Sequence, residues 1–167
     1  MSKPGKSSSR VTADSLHQYY KTLDIDHDAK IKYIDAGHPL DYAYRSPNQI
    51  TTDKTYDSAQ NYYKSLRAGV LSGPEWAEMV RVSKNPTIDG FVPDDDYRNN
   101  IDKWEKHATD VAYKANWLKF TQNEDLAHEL LRTGNRPIVA REETEWSHTN
   151  SEMLMVIRDQ LRKQIED

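Results

Sequence analysis

The sequence has 167 residues, a length typical of one domain, and contains no cysteine, which excludes disulfides, thiolate metal sites and a cysteine nucleophile. Its 23 basic and 27 acidic residues give a formal net charge of -4, so general nucleic-acid binding is disfavoured. No apolar run reaches the roughly 18 residues that span a membrane, and the start of the chain lacks an apolar signal core. We therefore expect a soluble, cytoplasmic protein that does not bind a membrane.

The first ten residues differ in composition from the rest. Residues 1–10 place Lys3, Lys6 and Arg10 among Ser and Gly residues, with no apolar cluster. Such a segment buries too little surface to fold alone, which predicts a flexible basic arm ahead of a single domain over residues 11–167. A protein partner that orders this arm is one expectation.

Apolar residues recur at helical spacing in several segments, each of which predicts a helix. In chain order the predicted helices cover residues 11–23, 56–68, 74–82, 101–122, 124–132 and 151–165. Asp14 or Ser15 would cap the first helix, Gly69 would end the second, and Pro74 would begin the third. The strongest pattern is that of residues 101–122.

Short strands are predicted at three places: residues 31–34, near Ile50, and residues 138–140. They are few beside the helices. The predicted fold class is therefore α+β, predominantly α-helical, in one domain with a few short strands.

The segment before the first strand imitates a calcium-binding loop. Asp24, Asp26 and Asp28 occupy its first, third and fifth positions. The sixth position is Ala29 instead of glycine, and the twelfth is Asp35 instead of the longer glutamate. These departures favour an acidic turn that leads into the strand, with a calcium site as the alternative.

The second half of the chain carries an ungapped series of residues: a Trp, then Ala-x-x-x-Lys-Phe-x-Gln, then Leu, Leu-Leu and Thr-Gly. They stand at Trp104, Ala115, Lys119, Phe120, Gln122, Leu126, Leu130, Leu131, Thr133 and Gly134. In this series the chain resembles the NADAR family, the YbiA-type N-glycosidases. The stretch KTYDSAQNYYKSLRA over residues 54–68 is similar to the family's Lys-Thr-Trp-Pro-x-Ser-Glu-His-Tyr helix. The resemblance covers about residues 31–161 and implies the family's fold.

The resemblance also implies cleavage of an N-glycosidic bond in a nucleotide or ADP-ribose-type small molecule, or in a phosphoribosyl compound. Such a reaction passes through an oxocarbenium-like transition state and needs a carboxylate. Glu143, in the run EETEWSH, replaces the Asp of the family's Asp-x-x-Trp-Gly motif and is the predicted catalytic residue. The predicted substrate-binding residues are Gln60, Trp104, Lys119 and Trp146. Gln60 stands where the family carries a glutamate, and its amide can hold a hydroxyl group but cannot act as a base.

Other family features are altered. Ser147 replaces a glycine, residues 148–151 replace an Asn-Arg-Leu-Gly run, and the Phe-x-Asn-Phe signature is absent at residues 40–44. Three expectations therefore stand: an active N-glycosidase, a module that binds such a ligand without turnover, and a structural subunit of a larger assembly. Because the histidines stand singly, without a metal-ligand spacing, we predict neither a metal nor a cofactor.

Overall fold

The structure is a computed structural model, and it describes residues 10–84, 97–141 and 146–166. The helices are α1 (Ala13–Tyr20), α2 (Ala59–Ser72), α3 (Pro74–Arg81), α4 (Tyr97–Glu105), α5 (Ala108–Gln122), α6 (Glu124–Leu131) and α7 (Ser147–Glu166). The strands are β1 (Lys32–Ile34), β2 (Ile50–Thr51), β3 (Thr55–Tyr56) and β4 (Ile138–Ala140). The prediction of a mainly helical α+β fold is confirmed. None of the described helices has the length and apolarity that crossing a bilayer requires.

The predicted basic arm falls almost wholly outside the described residues, because the structure describes Arg10 but not residues 1–9. The Arg10 guanidinium donates to the main-chain oxygen of Lys106 at 3.2 Å. Its neighbour Val11 is buried, and the Val11 amide donates to the Asp110 carboxylate at 2.9 Å. The described chain is therefore already held against α5 at residues 10–11.

The main core lies where α1, α5, α6 and α7 pack around the β1–β4 pair. Leu16, Phe120, Leu130 and Ile157 are among its fully buried side chains. Burying a side chain of this size contributes roughly 1.5–3 kcal/mol. Smaller cores, between β2, β3 and α5 and between α2, α4 and α5, complete the packing.

Two strand pairs join distant parts of the chain. β1 runs parallel to β4, with Tyr33 opposite Val139, and β2 runs antiparallel to β3, with Ile50 opposite Tyr56. The Asp35 carboxylate, just after β1, accepts two hydrogen bonds from Arg141 at 2.7 and 2.8 Å. The carboxylate at the last position of the calcium-like loop therefore pairs with Arg141. The chain there forms strand β1, whereas a calcium-binding loop of this type leads into a helix. This is the predicted acidic turn.

The helix boundaries differ from the sequence prediction at several ends. α1 is capped by Thr12, whose side chain accepts from the Ser15 amide while Ser15 accepts from the Thr12 amide. α2 passes through Gly69 and ends at Gly73, whose φ of 105° lies in the region that favours glycine. Tyr56 belongs to β3 and not to the helix.

Residues 101–122, predicted as one helix, form two. The chain turns at Lys106 and His107, where the His107 amide donates to the Trp104 carbonyl at 2.8 Å, one residue short of the α-helical spacing. The turn lets α4 pack on α2 while α5 runs through the centre of the domain. Tertiary packing therefore overrides a continuous apolar stripe.

Candidate active site

A narrow cleft opens beside the carboxyl ends of β1 and β4, between α5, α7 and the segment that follows β1. Its lining residues are Ile34, Leu40, Asp41, Tyr42, Asn116, Ala140, Asn150 and Leu154. The space that the centre of a water molecule can occupy in it measures about 10 Å³, which is room for about one water molecule. With its open mouth the cleft measures about 250 Å³. The carboxyl ends of parallel strands are where α/β proteins commonly bind ligands.

Asp41 places a buried carboxylate in this cleft. Only 4% of the residue is exposed, and among the described residues no group donates a hydrogen bond to its Oδ1 atom. The Asp41 amide donates to the His38 carbonyl at 2.8 Å, and the Tyr44 amide donates to the Asp41 carbonyl at 3.1 Å, so tight turns fix the residue. A buried, unpaired carboxylate oxygen costs free energy, which marks the position as a candidate for binding or catalysis.

Lys119 approaches the same segment from α5. Its side chain is fully buried, and Nζ donates to the Asp41 main-chain oxygen at 2.6 Å. The rings of Tyr44 and Phe120 lie 5.7 and 5.2 Å from Nζ. Burial lowers the pKa of Lys119 to about 7, while the negative charge of Asp41 acts in the opposite direction. With this pKa, the amine populates both its charged and its neutral form near neutral pH.

Gln60 contacts the other side of this segment from the first turn of α2. Its side-chain Nε2 donates to the Tyr42 hydroxyl at 3.2 Å, and its main-chain amide donates to the Tyr42 carbonyl at 3.0 Å. Gln60 and Lys119 are predicted from separate halves of the sequence, and they bond to two consecutive residues, Gln60 to Tyr42 and Lys119 to Asp41. The structure therefore places each of these two predicted residues against a lining residue of the cleft, while neither is itself part of the lining.

Trp104 and Trp146 lie in an aromatic cluster built on Tyr63, one turn beyond Gln60 on α2. The Tyr63 ring meets Trp104 edge-on at 5.2 Å and Trp146 at 5.8 Å. Trp104 is 4% exposed and packs in a small core. Trp146 is half-buried, and its carbonyl accepts from the amide of Asn150, which lines the cleft. Neither ring is part of the cleft lining, and of the two tryptophans Trp146 is the more exposed and so the more accessible to a ligand.

Glu143, the predicted catalytic residue, lies outside the described residues. The structure adds three polar residues that the sequence did not single out, namely Asp41, Asn116 and Asn150. Asp41 stands in the segment where the family's Phe-x-Asn-Phe signature is missing. The presence of an acidic residue beside the missing signature is the sequence feature that could have pointed to Asp41. Its buried position could not be predicted, because it depends on packing against Lys119, which is 78 residues away in the sequence.

Three comparisons with known proteins agree with this architecture. The family model of the NADAR domain matches residues 16–151. The NMR structure of the E. coli protein YbiA superimposes with a TM-score of 0.59 over 84% of this chain and 91% of that one, at 17% identity, a likeness of fold. An N-glycosidase, R617 of Acanthamoeba polyphaga mimivirus, is 53% identical over 36 residues, which are 22% of this chain. The match spans 21% of that relative's length.

Proposed function

This chain belongs to the NADAR family, and from that premise we propose that it hydrolyses the N-glycosidic bond of an ADP-ribose or phosphoribosyl-type N-glycoside. The observation that carries the proposal is the Asp41 carboxylate, buried in the cleft with one oxygen unpaired among the described residues. A relative that is 53% identical to this chain over 36 residues is named as an N-glycosidase, which supports the reaction class.

In the proposed reaction water adds across the bond between the ribose C1′ and the nitrogen. As that bond breaks, the nitrogen leaves with the electron pair and takes up a proton, and positive charge develops on the ribose ring. The Asp41 carboxylate stabilises this charge and accepts the proton of the attacking water, which it then releases to solvent, the source of the proton that the nitrogen takes up. The enclosed end of the cleft has room for about one such water.

The neighbouring side chains take supporting roles. Lys119 fixes the main chain of Asp41 through its 2.6 Å hydrogen bond, and it reaches a ligand only by releasing that oxygen. Gln60 and Trp146 are proposed to hold a ribose hydroxyl and to stack on the leaving base. Because the cleft with its mouth, about 250 Å³, is smaller than typical ligand pockets of roughly 300 Å³ or more, we expect it to hold the ribose while the remaining groups lie outside.

Asp41→Asn tests the assignment, since the amide keeps the shape of the side chain and loses its charge. We expect kcat to fall by about 10²–10⁴-fold, with a smaller change in KM. Release of free base or amine from ADP-ribosylated nucleotides, NAD and riboflavin-pathway intermediates is the measurement. Asp125→Asn, on the exposed face of α6, is the matched control and should keep full activity. Undiminished turnover in Asp41→Asn would remove Asp41 from the mechanism.

Glu143→Gln belongs in the same assay, because Glu143 remains the carboxylate that the family pattern favours. Loss of turnover in Glu143→Gln alone assigns the catalytic carboxylate to that residue. Loss in both variants assigns the reaction to a pair of carboxylates, as glycosidases commonly use.

Binding without turnover is the second candidate, and Gln60 is the observation that favours it. Its amide stands in place of the family's glutamate and is hydrogen-bonded to the Tyr42 hydroxyl, so this position offers no base. Calorimetry with ADP-ribose separates the candidates. Heat of binding with no product from any substrate supports a binding module, whereas silence in both assays leaves a structural subunit.

A further inference from the structure

Three side chains with metal-ligating atoms meet where α1 packs on the first turns of α7. His17 comes from α1, while His148 and Glu152 stand four residues apart on α7. The Glu152 Oε2 atom is 2.5 Å from His17 Nδ1 and 3.6 Å from His148 Nε2. All three ligand atoms lie within 4.8 Å of one another. The cluster therefore combines convergent donor atoms with two separate elements that a bound ion would join.

The spacing of the donor atoms can be compared with that of a zinc coordination sphere. Zinc takes histidine nitrogens and carboxylate oxygens at about 2.0–2.2 Å, so ligand atoms in a tetrahedral site lie about 3.3–3.5 Å apart. The His148–Glu152 separation of 3.6 Å already fits. His17 needs to withdraw from Glu152 by somewhat less than about 1 Å, which a small side-chain rotation provides. The ring nitrogens of His17 and His148 lie within 4.8 Å of each other, so they need to approach by at most about 1.5 Å to reach the tetrahedral spacing.

The burial and the charge of Glu152 also favour a bound cation. Glu152 is 4% exposed, and a buried carboxylate needs a compensating positive charge. The His17 and His148 side chains are 44% and 78% exposed, so the side of the cluster opposite Glu152 faces solvent. A divalent ion there would neutralise Glu152 and keep a coordination position open to water.

The donor set distinguishes between classes of metal. Calcium and magnesium take oxygen ligands, whereas imidazole nitrogens with a carboxylate suit zinc and related transition metals. No spacing in the sequence indicates such a site, because His17 and Glu152 are 135 residues apart. Only the packing of α1 on α7 brings them together.

We propose that His17, His148 and Glu152 bind one divalent transition-metal ion, zinc being the ion that this donor set favours, and that the ion ties α1 to α7. The proposal goes beyond the N-glycosidase reaction and does not depend on it. Asn150 and Leu154 line the cleft, and His148 and Glu152 lie two positions before and two positions after Asn150. Two helical positions correspond to about 200°, so the metal site is on the opposite side of α7.

The test uses the full chain without an affinity tag, stripped with a chelator and then dialysed against Zn²⁺. Elemental analysis should find one tightly bound zinc per chain. The Tm should rise by about 5–10 °C when free zinc exceeds its Kd by about a hundredfold. Mg²⁺ at the same concentration should leave the Tm unchanged. Absence of a zinc-dependent rise in Tm, or of bound zinc, would overturn the proposal.

Single substitutions locate the site. His148→Ala removes a largely exposed ligand and should leave the fold intact. It should weaken zinc affinity by about 100-fold or more, because the loss of a residue that only hydrogen-bonds to a metal ligand can already cost that much. His17→Ala should do the same. His128→Ala is the matched control, because His128 pairs with Glu124 at the same four-residue spacing, 3.8 Å apart, on α6. Unchanged zinc affinity in His148→Ala refutes the assignment even if His17→Ala fails to fold.

Discussion

The ionisable amine of Lys119 is fully buried, and its burial makes the stability of the protein depend on pH. Its pKa is about 7 in the folded protein and 10.5 when unperturbed, because burial disfavours the charged form. Between these values the unfolded chain binds more protons than the folded one, so stability rises with pH. Below about pH 7 both states are protonated, and the destabilisation is complete.

The predicted outcome is a pH-dependent free energy of unfolding that Lys119→Met removes. In the parent protein Lys119 should contribute a gain of about 2 kcal/mol between pH 7 and pH 9. Urea denaturation at several pH values, compared between the two proteins, measures this gain as a difference. Lys114→Met changes a half-exposed lysine on the same helix and should retain the rise. An equal rise in Lys119→Met would contradict the burial of Lys119 as its cause.

For single residues, the sequence led to the choice of residues but not to their burial or their contacts. Lys119 and Gln60 were found from a family pattern, and both contact the segment of Asp41 and Tyr42. Neither the burial of Lys119 nor the unpaired oxygen of Asp41 could be inferred, because both depend on contacts between residues far apart in the chain.

At the scale of elements, the α2–α3 hairpin shows how one side chain secures a helix end. Asn61 on α2 is buried, and its Nδ2 atom lies 3.3, 3.4 and 2.9 Å from the carbonyl oxygens of Val80, Arg81 and Ser83. These carbonyls are at the end of α3, where the last carbonyls of a helix lack α-helical partners, although the Val80 carbonyl also accepts from the Ser83 amide at 3.2 Å. The Asn61 amide group therefore caps α3 from the neighbouring helix.

Asn61→Ala should lower the free energy of unfolding by about 1–3 kcal/mol, because the partly buried carbonyls of Arg81 and Ser83 lose the Asn61 donor. Asn61→Asp, of nearly the same shape, should be more damaging, since it sets a carboxylate against those carbonyl oxygens. Chemical denaturation of the two variants measures both effects. If Asn61→Asp proved as stable as the parent protein, the amide would not be the cap.

The elements that the sequence predicted well are those defined by local signals. Pro74 marks the start of α3, and residues 138–140 form β4 as predicted. The misplaced boundaries have tertiary causes. The turn at His107 follows from α4 packing on α2, and Tyr56 pairs with Ile50 in a hairpin that its helical spacing did not reveal.

In the whole molecule, α1 packs as part of the main core. Leu16 is fully buried in the same core as Leu130 and Ile157. The Tyr19 hydroxyl donates to the Asp159 carboxylate on α7 at 2.9 Å, so polar contacts follow the apolar ones. The first helix is therefore expected to unfold together with the rest of the domain.

Leu16→Ala tests this expectation, because the cavity it leaves should lower the free energy of unfolding by about 2–5 kcal/mol. None of the four tryptophans is in α1, so their fluorescence reports on the remainder of the domain. If α1 is integral, urea transitions followed by fluorescence and by far-UV circular dichroism shift together in Leu16→Ala. Gln18→Ala, on the exposed face of α1, should shift neither. An unmoved fluorescence transition in Leu16→Ala would mean that α1 unfolds separately and that a metal bound at His17 could not stabilise the whole domain.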